Sequence, residues 1–257
     1  MIGQVVRRTS NRLTLNVPAR LTYRGKSVTV NGVLDTGTQR TIVSLSVLKR
    51  LGISADKIIA ASVVRGARGT HAGFKVTLDR MEVGRCVVSP MVVTAIAELR
   101  GEILIGMDFM RAVGAQINFE RRRASYECLK KSATQDRNAR RIHLPFIFRN
   151  GSKAVRRVSL VDTGATGIVI PEALAHELGL KIAKGITRMV AIGVSLSIKR
   201  AQVDSIELEG TPCKFGPFAV SIIKEIPFPV IGNSFMLRAR AAIDLMKAAN
   251  EFEVKCP

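Results

Sequence analysis

Apolar residues along this chain fall in short runs rich in β-branched side chains. Residues 12–17 and 27–34 form one such pair, separated by Arg24-Gly25-Lys26; residues 142–148 and 155–161 form another, separated by Asn150-Gly151-Ser152. Runs of this length and composition predict strands, and the turn residues between them predict hairpins. Residues 44–51 and 171–178 are instead spaced as helices, closing at Gly52 and Gly179. Two further short helices are expected to begin at Gly106 and Gly232. The pattern is all-β with a few short helices.

The pattern also occurs twice. Val33-Leu34-Asp35-Thr36-Gly37-Thr38 returns as Leu160-Val161-Asp162-Thr163-Gly164-Ala165. At the same offset Ile42-Val43 matches Val169-Ile170, Leu51-Gly52-Ile53 matches Leu178-Gly179-Leu180, and Gly66 matches Gly193. With the offset one residue shorter, Leu104-Ile105-Gly106-Met107-Asp108-Phe109-Met110 meets Val230-Ile231-Gly232-Asn233-Ser234-Phe235-Met236, and Gln116-Ile117-Asn118-Phe119 meets Ala242-Ile243-Asp244-Leu245. Ordered matches in one register indicate an internal duplication. Residues 120–141, with Arg121-Arg122-Arg123, read as an exposed connector. The expected division is a lobe at 1–128, a basic connector at 129–138 and a second lobe at 139–257.

A single Asp-Thr-Gly after an apolar strand is most simply a turn, because Asp bonds locally and Gly tolerates positive φ. Duplication changes that reading. Two related lobes packed about a twofold axis bring equivalent residues together near it, so Asp35 and Asp162 can meet. Two carboxyls in contact share one proton. One can then act as base toward a water while its protonated partner polarises a carbonyl. Thr36 and Thr163 can bond across the axis, and Gly37 and Gly164 permit close backbone approach.

These residues resemble the retropepsin-like aspartic peptidases, in which a strand bearing Asp-Thr-Gly is followed much later by an apolar stretch ending in Ile-Gly and a short helix. Here these are Asp35-Thr36-Gly37 with Ile105-Gly106, and Asp162-Thr163-Gly164 with Ile231-Gly232. The resemblance covers both halves apart from the connector and termini. It implies two closed β-barrel lobes about a pseudo-twofold axis, as in acid proteases, and an aspartic endopeptidase that hydrolyses peptide bonds through water activated by Asp35 and Asp162. Thr36, Gly37, Thr163 and Gly164 would support the site. Gly66 and Gly193 occupy the positions of flap glycines over a substrate cleft. The implied partner is a polypeptide, with no cofactor and no metal. Most such lobes pair between identical chains. This chain carries both, so a monomer with an internal pseudo-dimer is expected, and pairing between chains stays open.

The first copy departs from the family pattern. Thr38-Gln39-Arg40 replaces the small-residue run that Ala165-Thr166-Gly167 keeps, which places Arg40 where it could touch substrate. Asp108 and Ser234 read as helix caps.

Composition modifies this picture at two points. The formal net charge is +20, from 40 Lys and Arg against 20 Asp and Glu. That field implies attraction to anions and raises nucleic-acid association as an alternative function. No tryptophan and 5% aromatics leave few stacking surfaces for bases. The basic segments before each Asp would favour carboxylate ionisation, and Arg65, Arg68 and Arg188 could select acidic substrates. A lobe pair that binds without turnover is the other alternative. The four cysteines, Cys86, Cys128, Cys213 and Cys256, are dispersed without zinc-ligand spacing. No segment approaches the roughly 20 apolar residues of a membrane span, and no secretory signal is read at the start. A reducing cytoplasm is therefore the expected location.

Overall fold

The computed structural model describes residues 4–9, 12–54, 60–66, 69–97, 99, 103–120, 124–183, 185, 187–191, 194–224, 226–247 and 251–256. The hairpin ahead of Asp35 consists of strands Arg12–Tyr23 and Lys26–Leu34, paired from Asn16 opposite Val33 to Tyr23 opposite Lys26. Its counterpart joins His143–Asn150 to Lys153–Val161, from His143 opposite Leu160 to Asn150 opposite Lys153. Strands with one buried face fix their register, since a slip of one residue would turn the apolar set outward.

The Ile-Gly stretches explain why the motif needs a distant second part. Strand Ile103–Ile105 lies parallel to Lys26–Leu34, with Ile105 opposite Leu34, and antiparallel to Ile42–Ser44 on its other side. Val230–Ile231 repeats this arrangement, with Val161 opposite Ile231 on one side and Val169 opposite Val230 on the other. Each Asp-bearing loop therefore begins and ends on the same inserted strand. Helices follow at both places in each half: α1 (Leu45–Leu51), α2 (Met107–Ala112), α3 (Glu172–Glu177) and α4 (Asn233–Arg238).

Among the described residues the strands form a 15-stranded and a 9-stranded sheet. The larger sheet contains strands from both halves. Hairpin Ala115–Phe119/Ala124–Cys128 of the first half meets hairpin Ala242–Asp244/Phe252–Glu253 of the second, with Ile117 opposite Ile243. Phe119 N donates to Ala241 O at 2.8 Å, and Leu245 N donates to Ala115 O at 3.0 Å. These two bonds are the same bond seen from either side of a pseudo-twofold axis passing between Ile117 and Ile243. The lobes thus pair within one chain, about one continuous apolar core that includes Phe109, Tyr126, Phe146, Phe148 and Phe235. Burial of each such side chain contributes about 1.5–3 kcal/mol.

Charged side chains reinforce the joint. Arg111 on α2 grips Glu251 with two bonds of 2.8 and 2.7 Å, and Gln116 donates to Asp244 at 2.9 Å. The cysteines, far apart in sequence, pair as Cys86–Cys128 and Cys213–Cys256. Both disulfides tie a mid-lobe segment to the end of that lobe's last hairpin, so the same corner is stapled twice. Part of the expected connector is likewise ordered: Ser132–Ala133 pairs in parallel with Cys86–Val88, and residues 135–139 lie along the loop after Asp35.

Candidate active site

Asp35 and Asp162 each stand one residue beyond a buried strand. Asp35 N donates to Ile105 O and Asp162 N to Ile231 O, both at 3.0 Å, which fixes the two loops on their inserted strands. Further along, Met107 N donates to Thr38 O at 2.9 Å, as Asn233 N does to Ala165 O. The loop backbone lies so close to the inserted strand that a Cβ on Gly106 would sit 2.6 Å from the Arg40 carbonyl carbon, and one on Gly232 would sit 2.7 Å from Ala165 O. Only glycine fits at the end of Ile-Gly.

The loops are locked to each other by threonines. Thr36 Oγ1 donates to Val161 O at 2.8 Å and accepts from Thr163 N at 3.0 Å; Thr163 Oγ1 donates to Leu34 O at 2.6 Å and accepts from Thr36 N at 3.1 Å. Both threonines are fully buried. Each hydroxyl uses its one proton and one lone pair across the interface, so the four bonds form a closed set with the symmetry of the fold.

This lock carries the carboxyls into contact. A Cβ on Gly37 would lie 2.5 Å from Asp162 Cγ, and one on Gly164 would lie 2.6 Å from Asp35 Cγ. Each glycine thus lies directly against the opposite lobe's carboxyl. Asp162 Oδ1 accepts from Gly164 N at 2.8 Å and Ala165 N at 3.2 Å. Asp35 Oδ2 accepts from Thr38 Oγ1 at 2.9 Å, while its Oδ1 has no donor among the described residues. Burial, then the neighbouring charge of Asp162, holds Asp35 well above the usual carboxylate range. Burial also raises Asp162, opposed by hydrogen bonds from Asp35 and from the backbone N–H groups. The expected lowering by a basic field is not what dominates here: desolvation raises both carboxyls. Such a pair can hold one proton between two oxygens and present both an acid and a base to a bound molecule.

The residues anticipated around the pair fall into three groups. Thr36, Gly37, Thr163 and Gly164 are all brought to it. Gly66 closes strand Ala60–Gly66 and faces Gly69 in a hairpin, and Thr187–Ala191 pairs with Val194–Val203 in the equivalent one; Gly193 lies outside the described residues, as do the side chains of Arg65, Arg68 and Arg188. Each half therefore carries a hairpin at the flap position. Arg40 is directed elsewhere: its guanidinium donates to Asp136 O at 3.4 Å and to Arg137 O, so it is committed to the connector and not to a cleft.

Asp108 is also not the helix cap expected of it. Gly106 occupies the cap position of α2, and no side chain caps it. The Asp108 carboxylate is buried, accepting from Thr41 N at 3.0 Å, Thr41 Oγ1 at 2.8 Å, Phe109 N at 2.9 Å and Gln135 Nε2 at 2.8 Å. Thr41 Oγ1 in turn accepts from Gly106 N at 3.1 Å. This anchor was overlooked because an Asp at a helix start has a commoner local explanation. Asp and Ser cap helices about equally well, so the Asp108/Ser234 difference across the repeat carries no signal of the anchor.

Each half also holds a small apolar cluster apart from the main core, beside its carboxyl loop. Ile42, Ile96 and Leu99 with Val64 and Leu104 form one; Val169, Ile198 and Ile223 with Ile226 and Val230 form the other.

Comparison with known families agrees with the geometry. Residues 21–112 match the family described as "gag-polyprotein putative aspartyl protease", and residues 149–235 match the family described as "Aspartyl protease". Each match contains one Asp-Thr-Gly and its own Ile-Gly. No curated protein matches the chain.

Proposed function

From a chain whose two halves both belong to retropepsin-like aspartyl protease families, we propose an aspartic endopeptidase that uses Asp35 and Asp162 together on one water. The observation that carries this reading is the seating of each carboxyl against the opposite lobe's Asp-Thr-Gly glycine, under the crossed threonine bonds, which brings the two acids within hydrogen-bond reach. Asp35, whose Oδ2 accepts the Thr38 hydroxyl and whose Oδ1 has no donor among the described residues, keeps the shared proton and donates it toward the scissile carbonyl oxygen. Asp162, whose Oδ1 already accepts two backbone N–H groups, is the ionised partner and takes a proton from the attacking water. Oxygen adds to the carbonyl carbon, giving a tetrahedral diol. The C–N bond then breaks as Asp162 gives the proton it took from water to the leaving nitrogen and Asp35 takes one from a diol hydroxyl, which yields an amine and a carboxylic acid and returns the pair to its starting state. A polypeptide is the substrate class, and an extended segment under the two hairpins is the expected pose.

The test is cleavage of an unfolded protein between pH 3 and pH 7, with a statine-type transition-state analogue as inhibitor. Inhibitable cleavage should fall about 10³-fold in both Asp35→Asn and Asp162→Asn, as expected for loss of a general acid or base. Retention of activity by either variant rules out the paired mechanism.

The cysteines support an oxidising working compartment as part of this proposal. Two disulfides at matching corners of the lobes suit an oxidising setting better than the reducing cytoplasm that cysteine dispersal alone suggests. Intact-protein mass after thiol alkylation without reductant checks this, with four blocked thiols as the contrary result.

A further inference from the structure

We infer that residues 135–139 of the connector act as a brace for the loop that carries Asp35, with Gln39 and Arg40 as positioning residues that the second loop lacks. The inference rests on the peptidase reading for its kinetic consequence, but not for its geometry.

Five contacts define the brace. Gln39 Nε2 donates to Ala139 O at 2.8 Å, and Arg40 donates to the carbonyls of Asp136 and Arg137. From the other side, Gln135 donates to Asp108 Oδ2 at 2.8 Å, and Asp136 N donates to Asp108 O at 3.1 Å. Gln135 is itself fixed on strand Met91–Ile96, accepting from Val92 N at 3.0 Å and donating to Val92 O at 2.8 Å. The connector turn is closed internally by Asn138 N to Asp136 Oδ1 and by Ala139 N to Asp136 O. The segment is therefore a folded piece of the first lobe and not a slack tether.

The braced loop is the one whose conformation reaches a carboxyl. Thr38 N donates to Asp35 O, Thr38 Oγ1 donates to Asp35 Oδ2, and the two residues that follow Thr38 hold the connector. In the second lobe, Ala165 has no hydroxyl to offer Asp162, and Thr166-Gly167 replace Gln39-Arg40. The sequence departure after Asp35 is thus accounted for: Gln39 and Arg40 are long enough to reach the connector carbonyls. Carbonyls 137 and 139 are acceptors that the segment would otherwise present to water, and capturing them together with carbonyl 136 adds to the hold that the Gln135 side chain has on Asp108 and Val92.

The experiment compares wild type, Gln39→Ala/Arg40→Ala, Arg40→Lys and the second-lobe control Thr166→Ala. Amide hydrogen exchange is read at residues 35–41 and 162–168, and turnover of an unfolded protein is read against pH. In the double variant, exchange at 35–41 should rise at least tenfold with 162–168 unchanged, kcat should fall about tenfold with KM within twofold, and the pH profile should move upward as Thr38 slackens on Asp35. Arg40→Lys should recover part of each effect, and Thr166→Ala should match wild type. Unchanged exchange at 35–41 overturns the brace whether or not the protein is a peptidase. A lowered unfolding midpoint with an unmoved pH profile and unchanged kcat overturns the positioning role. Absence of any turnover in wild type would sink the peptidase reading alone, leaving exchange to decide the brace.

Discussion

The two lobes are nearly identical where the Asp-Thr-Gly loops cross and different one step away. Across the axis, Thr36 and Thr163 make the same two bonds in both directions, and Gly37 and Gly164 each lie against the opposite carboxyl. One step away the agreement ends. The first lobe anchors its loop through buried Asp108, Thr41 and the connector. The second has Ser234 and Ile168 at those positions and uses Asn233, whose Nδ2 donates to Thr163 O at 2.7 Å, where the first lobe has Met107. Residues that contact their own symmetry mates must change together, while those facing only their own lobe can change alone. Divergence after duplication should therefore increase with distance from the axis.

The largest expected effect tests whether the two staples are equivalent. Each disulfide closes a loop of similar length, with sequence separations of 42 and 43, so each should contribute roughly 4 kcal/mol by loop-closure entropy. Chemical denaturation of Cys86→Ser/Cys128→Ser and of Cys213→Ser/Cys256→Ser should give equal losses; a gap of half that size would mean the lobes do not unfold as one unit. Next come the threonines. Thr36→Val and Thr163→Val each remove a donated bond and leave a buried backbone N–H unpaired, costing about 2–4 kcal/mol apiece. Their equality in denaturant titrations is the sharpest test of symmetry at the axis.

Asp108→Asn should separate the lobes. Replacing an acceptor that serves four donors with an amide costs about 1–3 kcal/mol, whereas Ser234→Ala should change the midpoint little. The smallest effect concerns pH. A carboxyl whose pKa is raised by folding contributes stability below its unfolded pKa, and that contribution is lost as pH climbs through the raised value. Asp35 and Asp162 are both raised, so each Asn variant should melt higher than wild type at pH 7 and no higher at pH 3.

Much of this architecture was legible in the sequence because the duplication multiplies local signals. Hairpins, helices and both Asp-Thr-Gly loops lie where short-range pattern put them, since each is fixed by neighbours in sequence. What pattern could not show depends on contacts between distant segments. The Cys86–Cys128 and Cys213–Cys256 pairs were missed by spacing within one segment, although Cys86 and Cys213 share the repeat's register. Asp108 was explained locally when its partners, Thr41 and Gln135, lie on separate elements. The connector was read from composition, which reports exposure correctly for Lys130 and Lys131 but says nothing of backbone carbonyls held by Gln39 and Arg40.

The strand pair at Ile117 and Ile243 has a kinetic consequence. Two separate lobes would find each other at a rate set by their concentration, and would part on dilution. Joined in one polypeptide, they meet at an effective concentration on the order of millimolar for a short flexible link, and an ordered connector keeps them there. Specific activity should hold constant from micromolar to picomolar protein, where an assembly of loose halves would fade.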